Sequence, residues 1–304
     1  MSTKKVAILL MAFGTPNETA DILPYYTHIR HGHQPNAALL EALQRRYDAI
    51  GGTSPLAEIT LAQVAGVRQA FMADTSVTVF LGLRHIAPFI EDVAAEIGQA
   101  GYQEVYGLSL MAHYSTYSTK DYHQVARQSL KVFPEVQYHE VNGFDQMPTL
   151  EKFWAQQIQQ LQVALPQQTT KVIFSAHSLP LKTAADDPYS QNVLKNAAAI
   201  AKLAQLNAAD YTVTWQSAGR TAEPWIGPSL TDVVAQVLTQ GTVKQILSVP
   251  IGFINDNLEI NYDLDIELAK QVETLGGHWH RAAMPNDDPA LIEALVQRLK
   301  QVMD

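Results

Sequence analysis

Seven short apolar runs alternate with stretches of helical periodicity along the chain. The runs are rich in Val, Ile, Leu and aromatic residues and lie at about 5–12, 77–81, 104–111, 136–141, 171–175, 211–215 and 244–249. Helical periodicity fills the intervals, for example at 89–99, 150–161, 192–206 and 289–302. Because strands that alternate with helices pair in parallel, this pattern predicts an α/β fold with helices on both faces of parallel sheets.

The two halves of the chain share a faint internal repeat. Residues 8–16 read ILLMAFGTP and residues 172–180 read VIFSAHSLP. The next strands read VTVFLGLR and VTWQSAGR, and the third strands end in LMAHYS and PIGFIN. The repeat predicts two similar Rossmann-like domains, 1–145 and 146–304, facing each other across a cleft. The first carries a helical insertion at 17–74, and we expect the last helix, about 289–302, to pack back on it.

Small and polar residues follow the apolar run that ends near His177. In α/β proteins ligands bind outside the carboxyl ends of parallel strands, so His177 is expected to face the cleft. The overlay of the halves places Phe13 opposite His177. An aromatic wall and an imidazole wall would hold a flat ligand between them.

Three carboxylates, Glu259, Asp263 and Glu267, follow the last of these runs at i, i+4 and i+8 of a predicted helix. Like charges at this spacing repel each other, so something should compensate them. One interpretation is a solvated acidic face. The other is a row of oxygen ligands that conducts a divalent cation toward His177. Imidazole with carboxylate suits first-row metals such as Fe(II) or Zn(II).

The insertion concentrates aromatic and cationic side chains in an otherwise acidic protein: Tyr25, Tyr26, His28, Arg30, Arg45, Arg46 and Tyr47. Arginine pairs with carboxylates, and tyrosine suits a large apolar ligand with polar edges. The alternative is a pair of surface helices with ordinary core tyrosines, because amphipathic helices are the default.

Composition excludes several classes of protein. A net charge of −9 argues against nucleic acid as a partner, because phosphate binding needs clustered Lys and Arg. The chain has no cysteine, which excludes disulfides, thiolate zinc sites and cysteine-held iron–sulfur clusters. The apolar run after Met1 is too short to span a membrane and lacks a cleavage site, so we predict a cytoplasmic protein without membrane insertion.

Long motifs carry a resemblance to a known family. They are SAHSLP at 175–180, DPY at 187–189, WQSAGRTAEPWIGP at 215–228, PIGFINDNLEINYDLDIE at 250–267, YYTHIRHG at 25–32 and RYDAIGGTSPL at 46–56. In this order they resemble ferrochelatases over nearly the whole chain, and the sequence is most similar to the soluble bacterial coproporphyrin III ferrochelatases. The resemblance implies a lyase-type chelatase that inserts Fe(II) into coproporphyrin III in haem biosynthesis.

The resemblance also implies roles for individual residues. It makes His177 and Glu259 the catalytic and metal-binding pair. From the spacing of the carboxylates, our own hypothesis is that Asp263 and Glu267 form a path for metal or protons. It makes the following residues porphyrin contacts: Phe13, Arg30, Arg46, Tyr47, Ser54 and Tyr122. Fe(II) is then a substrate, with no tightly bound cofactor and no iron–sulfur cluster. Phe13 stands where this branch usually has Tyr, so it can stack on a macrocycle but cannot ligate iron.

Other activities fit the same residues. They are a protoporphyrin IX ferrochelatase, a cobalt or nickel chelatase of the same fold, and a non-catalytic carrier of haem or metal. A cleft between two domains needs no second copy, so we expect a monomer. Its partners would be the porphyrin, Fe(II) and later enzymes of haem synthesis.

Overall fold

A computed structural model describes residues 4–184, 186–219 and 223–304. Residues 220–222 of the WQSAGRTAEPWIGP motif and the first three residues assigned to the N-terminal domain lie outside the described residues. Within this part, the strands form two parallel four-stranded sheets, one in each half of the chain.

The N-terminal sheet has the order β2-β1-β3-β4, and the C-terminal sheet has the order β6-β5-β7-β8. The strands of the first sheet are β1 Val6–Ala12, β2 Val77–Leu83, β3 Glu104–Ser109 and β4 Gln137–Val141. Those of the second sheet are β5 Thr170–His177, β6 Tyr211–Gln216, β7 Gln245–Val249 and β8 His278–Arg281. In both sheets the first strand lies between the second and the third. The predicted α/β fold with two similar parallel sheets is therefore confirmed.

Helices surround both sheets. The N-terminal half carries α1 Ile22–Ile29, α2 Ala37–Ala49 and α3 Leu56–Phe71 between β1 and β2, then α4 Ile90–Gln99 and α5 Thr119–Leu130. The C-terminal half carries α6 Pro148–Ala164, α7 Leu181–Ala184, α8 Tyr189–Leu203, α9 Leu230–Thr239, a π-helix at Glu259–Leu268, α10 Ala269–Thr274 and α11 Pro289–Met303. Short 3₁₀ turns at Thr19–Asp21 and Gln167–Thr169 complete the order.

The strands are buried on both faces, as parallel sheets require. Along β1, Leu9 belongs to a cluster with residues of α4 and α5, whereas Ile8 and Leu10 belong to the main cluster. That main cluster also contains Phe174 of β5 and Val249 of β7, so a continuous apolar core runs through both halves. Helix α11 packs against α3, α6, β3 and β4, which lie on both sides of residue 145.

The register of the second sheet brings three strand ends to one edge. His177 of β5 pairs with Gln216 of β6, and Phe174 pairs with Val249 of β7. The segments that leave these strands therefore emerge side by side, where α/β proteins place their ligands.

In the part of the chain that the structure describes, no helix is both long and apolar enough to cross a bilayer.

Candidate active site

His177 is the last residue of β5, and its imidazole has a fixed orientation. Nδ1 lies 2.6 Å from the carbonyl oxygen of Ser178. Because a carbonyl oxygen accepts but never donates, Nδ1 carries the proton of the neutral ring and Nε2 keeps a lone pair. The hydroxyl of Tyr189 donates to the His177 carbonyl at 3.1 Å, and Ser178 N–H donates to Gln216 O at 2.8 Å. The backbone thus holds the lone pair of Nε2 in place.

Glu259 is the first residue of the π-helix and faces this lone pair. Its Oε1 lies 3.8 Å from His177 Nε2, and the two side chains are 33% and 37% exposed. The other oxygen, Oε2, is buried and has no hydrogen-bond partner. At the start of the helix, Asn257 Oδ1 accepts from Ile260 N–H at 3.0 Å, which fixes the turn that carries Glu259. A nitrogen lone pair and a carboxylate therefore converge on one half-buried space.

Three carboxylates, Glu259, Asp263 and Glu267, form an acidic row along the π-helix, from the half-buried Glu259 to the exposed Glu267. Asp263 Oδ2 accepts from Ser217 Oγ at 3.2 Å, and Asp263 Oδ1 pairs with the Arg46 guanidinium. Burial raises the pKa of Asp263, the Arg46 charge opposes this shift, and the Glu259 charge adds to it. Glu267 is exposed. The carboxylates are therefore compensated in part by a cation from the other half of the chain.

Arg46 lies on α2, in the N-terminal insertion, and reaches across to the π-helix. Besides its ion pair with Asp263, its guanidinium stacks over the Tyr262 ring at 5.2 Å. Both side chains of the ion pair are less than one-third exposed. The structure thus shows that Arg46 binds a carboxylate at the cleft, although the carboxylate here is the protein's own.

Phe13 follows β1 and is 43% exposed. Its ring packs against His85 at 4.4 Å and lies edge-on to Tyr25 at 6.3 Å. Burial raises the pKa of Tyr25, and the Glu259 charge contributes to that shift, so this aromatic group lies within electrostatic reach of the acidic row. The exposed Phe13 ring provides a flat surface.

Beside Phe13 there is a cavity of about 260 Å³ lined by His28, His31, Gly32, Arg84 and His85. His28 Nδ1 and His85 Nδ1 lie 3.0 Å apart, so one ring donates and the other accepts. Burial, together with the Arg84 and His28 charges, lowers the pKa of His85 to about 4. His85 is therefore neutral at pH 7.

The remaining predicted porphyrin contacts differ in accessibility. Arg30 donates to His33 O at 3.2 Å and stacks on Tyr26 at 5.7 Å, at the partly exposed end of α1. Ser54 is 6% exposed, and its Oγ accepts from Leu56 N–H at 3.2 Å, at the start of α3. Their contacts with a porphyrin stay predictions.

Tyr47 and Tyr122 are both buried, at 2% and 3% exposure. Tyr47 OH lies 3.3 Å from Thr15 Oγ1, and burial raises its pKa. Tyr122 packs in the cluster of β1, α4 and α5, and its hydroxyl has no hydrogen-bond partner. Burial also raises the pKa of Tyr122. Both phenols are therefore neutral at pH 7, and their contact with a ligand stays a prediction.

His177 and Glu259 form a site with few protein ligands. Among residues 4–184, 186–219 and 223–304, no three His, Asp or Glu side chains could hold a metal ion together. Closed structural sites usually surround an ion with four protein donors. A nitrogen and a carboxylate alone leave most coordination positions open.

Sequence reasoning missed three residues that shape the site. Ser217, at φ 56°, has a left-handed backbone that ends β6 and turns its hydroxyl toward Asp263. Tyr189 holds the His177 carbonyl, and Asp187 caps the Tyr189 N–H at 2.9 Å. All three lie inside the WQSAGR and DPY motifs, so the motifs gave a signal that periodicity and charge did not.

The two-sheet fold and the His–Glu cleft define a protein of the chelatase type. The family model described as "Ferrochelatase" matches residues 5–303. A Geobacillus sp. (strain WCH70) protein named coproporphyrin III ferrochelatase is 38% identical over 302 residues, covering 97% of each chain. A Bacillus pumilus protein of the same name is 36% identical over 311 residues, covering 100% of this chain and 99% of that protein. The chain belongs to the ferrochelatase family.

Solved structures share the architecture. SirB from Bacillus subtilis with Fe³⁺ superposes with a TM-score of 0.60 at 13% identity, covering 98% of this chain and 95% of SirB. CbiX, described as the terminal enzyme for biosynthesis of siroheme in denitrifying bacteria, gives a TM-score of 0.55 at 13% identity, covering 98% of this chain and 100% of CbiX. At such identity the likeness concerns the fold alone.

Proposed function

We propose that the protein inserts Fe(II) into coproporphyrin III to give Fe-coproporphyrin. The observation that carries the proposal is the 3.8 Å approach of Glu259 Oε1 to the lone pair of His177 Nε2. Support comes from the relatives named coproporphyrin III ferrochelatase at 36–38% identity. A cytoplasmic location, a monomeric state, the lack of a bound cofactor and contact with later haem-pathway enzymes stay predictions.

Metallation exchanges two pyrrole protons for one Fe²⁺ ion, so the site must accept two protons and release one metal ion. The Nε2 lone pair of His177 can take a pyrrole proton or bind the ion, but not both at once. Glu259 supplies the second acceptor beside it. Acid–base groups placed this way typically contribute about 10²–10⁴-fold to a rate.

The carboxylates of the π-helix would connect this space with solvent. Glu259 is half-buried against His177, Asp263 lies further along, and Glu267 is exposed. Because burial raises the pKa of Asp263, this carboxyl takes up a proton more readily than an exposed aspartate. The row can therefore carry protons outward or admit the ion.

The walls of the cleft suit a flat ligand with acidic edges. Phe13 offers an exposed ring, and Arg30 and Arg46 offer guanidinium groups on the N-terminal side. Guanidinium binds carboxylate in a two-pronged geometry, and coproporphyrin carries more propionates than protoporphyrin does. This difference favours coproporphyrin in the proposal.

The proposal is tested by anaerobic Fe(II) insertion into coproporphyrin III and into protoporphyrin IX, followed by absorbance. We expect a higher kcat/KM with coproporphyrin III. A higher kcat/KM with protoporphyrin IX would mean that protoporphyrin IX, and not coproporphyrin III, is the substrate. Porphyrin binding without any metal-dependent turnover would contradict enzymatic insertion and favour a carrier.

Glu259→Gln tests the second acceptor, because the amide keeps the shape of the side chain but cannot take up a proton. We expect kcat to fall by about 10²-fold or more. The matched control is Glu273→Gln on the exposed face of α10, which should keep wild-type turnover. Wild-type turnover in Glu259→Gln would remove this residue from the mechanism.

The double variant Asp263→Asn with Glu267→Gln tests the carboxylate path. We expect a higher apparent KM for Fe(II) with a smaller change in the KM for porphyrin, because the substitutions remove charge along the helix. An unchanged apparent KM for Fe(II) and unchanged kcat would contradict the path.

A further inference from the structure

The carboxylate of Asp187 is buried between the two halves of the chain. Asp187 lies between α7 and α8 and is 5% exposed. Its Oδ2 accepts from Ser115 Oγ, Thr116 N–H and Thr116 Oγ1, each at 2.8 Å, and from Tyr117 N–H at 3.3 Å. Burying a carboxylate is costly unless donors surround it. The donors come from the N-terminal half, so this one oxygen joins the halves.

The segment that supplies these donors, residues 115–119, is also held in shape by hydrogen bonds of its own. Ser115 Oγ also accepts from Tyr117 N–H at 3.0 Å and lies 3.4 Å from Ser118 N. Thr119 Oγ1 accepts from Ser115 N–H at 2.8 Å and donates to Ser115 O at 2.7 Å. The donors are therefore preorganised, and their position is fixed relative to α5.

The other carboxylate oxygen of Asp187 is connected to His177 through Tyr189. Asp187 Oδ1 accepts from Tyr189 N–H at 2.9 Å, and the Tyr189 hydroxyl donates to the His177 carbonyl at 3.1 Å. The Tyr189 ring is 7% exposed and packs against Trp215 at 5.8 Å and His113 at 6.1 Å. A continuous set of contacts thus runs from the N-terminal half to the backbone of His177.

The direction of the imidazole depends on this backbone. His177 Nδ1 is bonded to the Ser178 carbonyl, which lies one peptide beyond the His177 carbonyl that accepts from Tyr189. A rotation of the His177–Ser178 peptide therefore shifts the Ser178 carbonyl and moves Nε2 relative to Glu259. A misplacement of about 1 Å can cost on the order of 100-fold in rate. Tyr189, which holds the His177 carbonyl, therefore acts on the reacting atoms without touching them.

We propose that Asp187 and Tyr189 are positioning residues that set the Nε2 lone pair of His177 from the far side of the strand. Through Asp187, the position also depends on how the two halves are docked. The inference rests on the proposed function of His177, but the arrangement of the imidazole can be measured without turnover.

Tyr189→Phe removes the hydroxyl and keeps the ring. We expect kcat for Fe(II) insertion into coproporphyrin III to fall about tenfold while the KM for porphyrin stays unchanged, because the porphyrin walls are untouched. Asp187→Asn should lower kcat at least as much, since an amide cannot satisfy the same set of donors. Tyr138→Phe is the matched control, because it removes a phenol bonded to His123 Nδ1 at 2.8 Å in the other half.

A merely structural role would lower the Tm in both Tyr→Phe variants and leave kcat per folded enzyme at the wild-type value, which would overturn the proposal. A second measurement uses ¹⁵N-histidine NMR, with the His177 signals assigned by their loss in His177→Ala. We expect the Nδ1–H tautomer in the wild type and a mixture of tautomers in Tyr189→Phe. If the wild type does not metallate coproporphyrin, the proposed function fails. The positioning role then fails as well only if the ¹⁵N signature is unchanged in Tyr189→Phe.

Discussion

The two halves of the molecule share one strand order but differ in the segments that leave their first strands. After β1 the chain continues with Phe13 and three helices, α1 to α3, that carry aromatic and cationic residues. After β5 it continues from His177 into α7 and α8. In the function that we propose, the N-terminal half supplies walls and the C-terminal half supplies donor atoms. A repeated scaffold leaves function to the residues just beyond its strand ends.

The segments that follow the third strands, β3 and β7, differ in packing. Ala112 follows β3, whereas Gly252 occupies the matching place after β7. A Cβ atom on Gly252 would lie 2.5 Å from Ala176 Cα and 2.6 Å from Ala176 Cβ. The Gly252 N–H donates to Ser175 O at 3.0 Å. The C-terminal half therefore brings the segment that leads to Glu259 against the strand that carries His177, and its counterpart after β3 tolerates a side chain.

The largest expected effect comes from replacing His177 by alanine, measured beside the same replacement of Phe13. His177→Ala should lower kcat by about 10²-fold or more, because it removes the Nε2 lone pair. Phe13→Ala should weaken porphyrin binding by about 0.5–1.5 kcal/mol and change kcat little, because it removes one stacking surface. Steady-state kinetics at saturating Fe(II) and a porphyrin titration measure the two effects. Equal losses of kcat in both variants would break the division into wall and donor.

Gly252→Ala tests the tight approach in the C-terminal half. We expect the free energy of unfolding to fall by about 3 kcal/mol, since backbone and side chain of Ala176 leave no room for a methyl group. Ala112→Gly, the reciprocal change after β3, should cost only about 0.5–1 kcal/mol. Urea unfolding of both variants gives the comparison, and similar losses would show that the halves pack alike.

The ion pair between Arg46 and Asp263 connects α2 of the N-terminal half with the π-helix of the C-terminal half. Arg46→Met should lower the free energy of unfolding by about 1–3 kcal/mol, because it leaves the Asp263 carboxylate without its cation. Arg46→Met combined with Asp263→Asn should recover part of this loss. A double-mutant cycle by denaturant unfolding measures the coupling, and strictly additive changes would contradict an interaction between the halves.

The smallest expected effect concerns the partly buried imidazole of His85 in the N-terminal half. The folded pKa of His85 is about 4, below its ordinary 6.5, so below pH 6.5 the unfolded chain takes up a proton that the folded chain refuses. The free energy of unfolding should therefore fall between about pH 6.5 and 4. After allowance for partial exposure, we expect a loss on the order of 1 kcal/mol.

His85→Gln cannot titrate and should flatten this part of the stability profile, measured by urea unfolding at several pH values. His278→Gln, at an exposed position on β8, is the control and should keep the wild-type slope. An unchanged slope in His85→Gln would show that the imidazole does not resist protonation in the folded state.

Much of the fold could be predicted because buried parallel strands leave a local mark. The apolar run at 171–175 lies within β5, and the run at 77–81 lies within β2. The π-helix could not be predicted, since periodicity indicates a helix without giving its hydrogen-bond spacing. Its Ala269 N–H donates to Leu264 O, five residues back.

The candidate site could likewise be predicted only in part from the sequence. His177 and Glu259 could be predicted as neighbours because His177 ends β5 and Glu259 follows β7, each within a long motif, and their side chains lie 3.8 Å apart. The pairing of Arg46 with Asp263 joins residues more than 200 positions apart, and no local pattern encodes such a contact. The burial of Tyr122 likewise depends on how α5 packs on α4 and β3, which charge and spacing do not give.

The π-helix at Glu259–Leu268 has a further consequence. An extra residue in each turn changes the phase at which side chains leave the axis, so loss of one position within it would let the segment relax to ordinary α-helical winding. Every side chain beyond the deletion would then turn away from its present neighbours, Asp263 from Arg46 among them. The length of this segment, as much as its composition, is therefore under constraint.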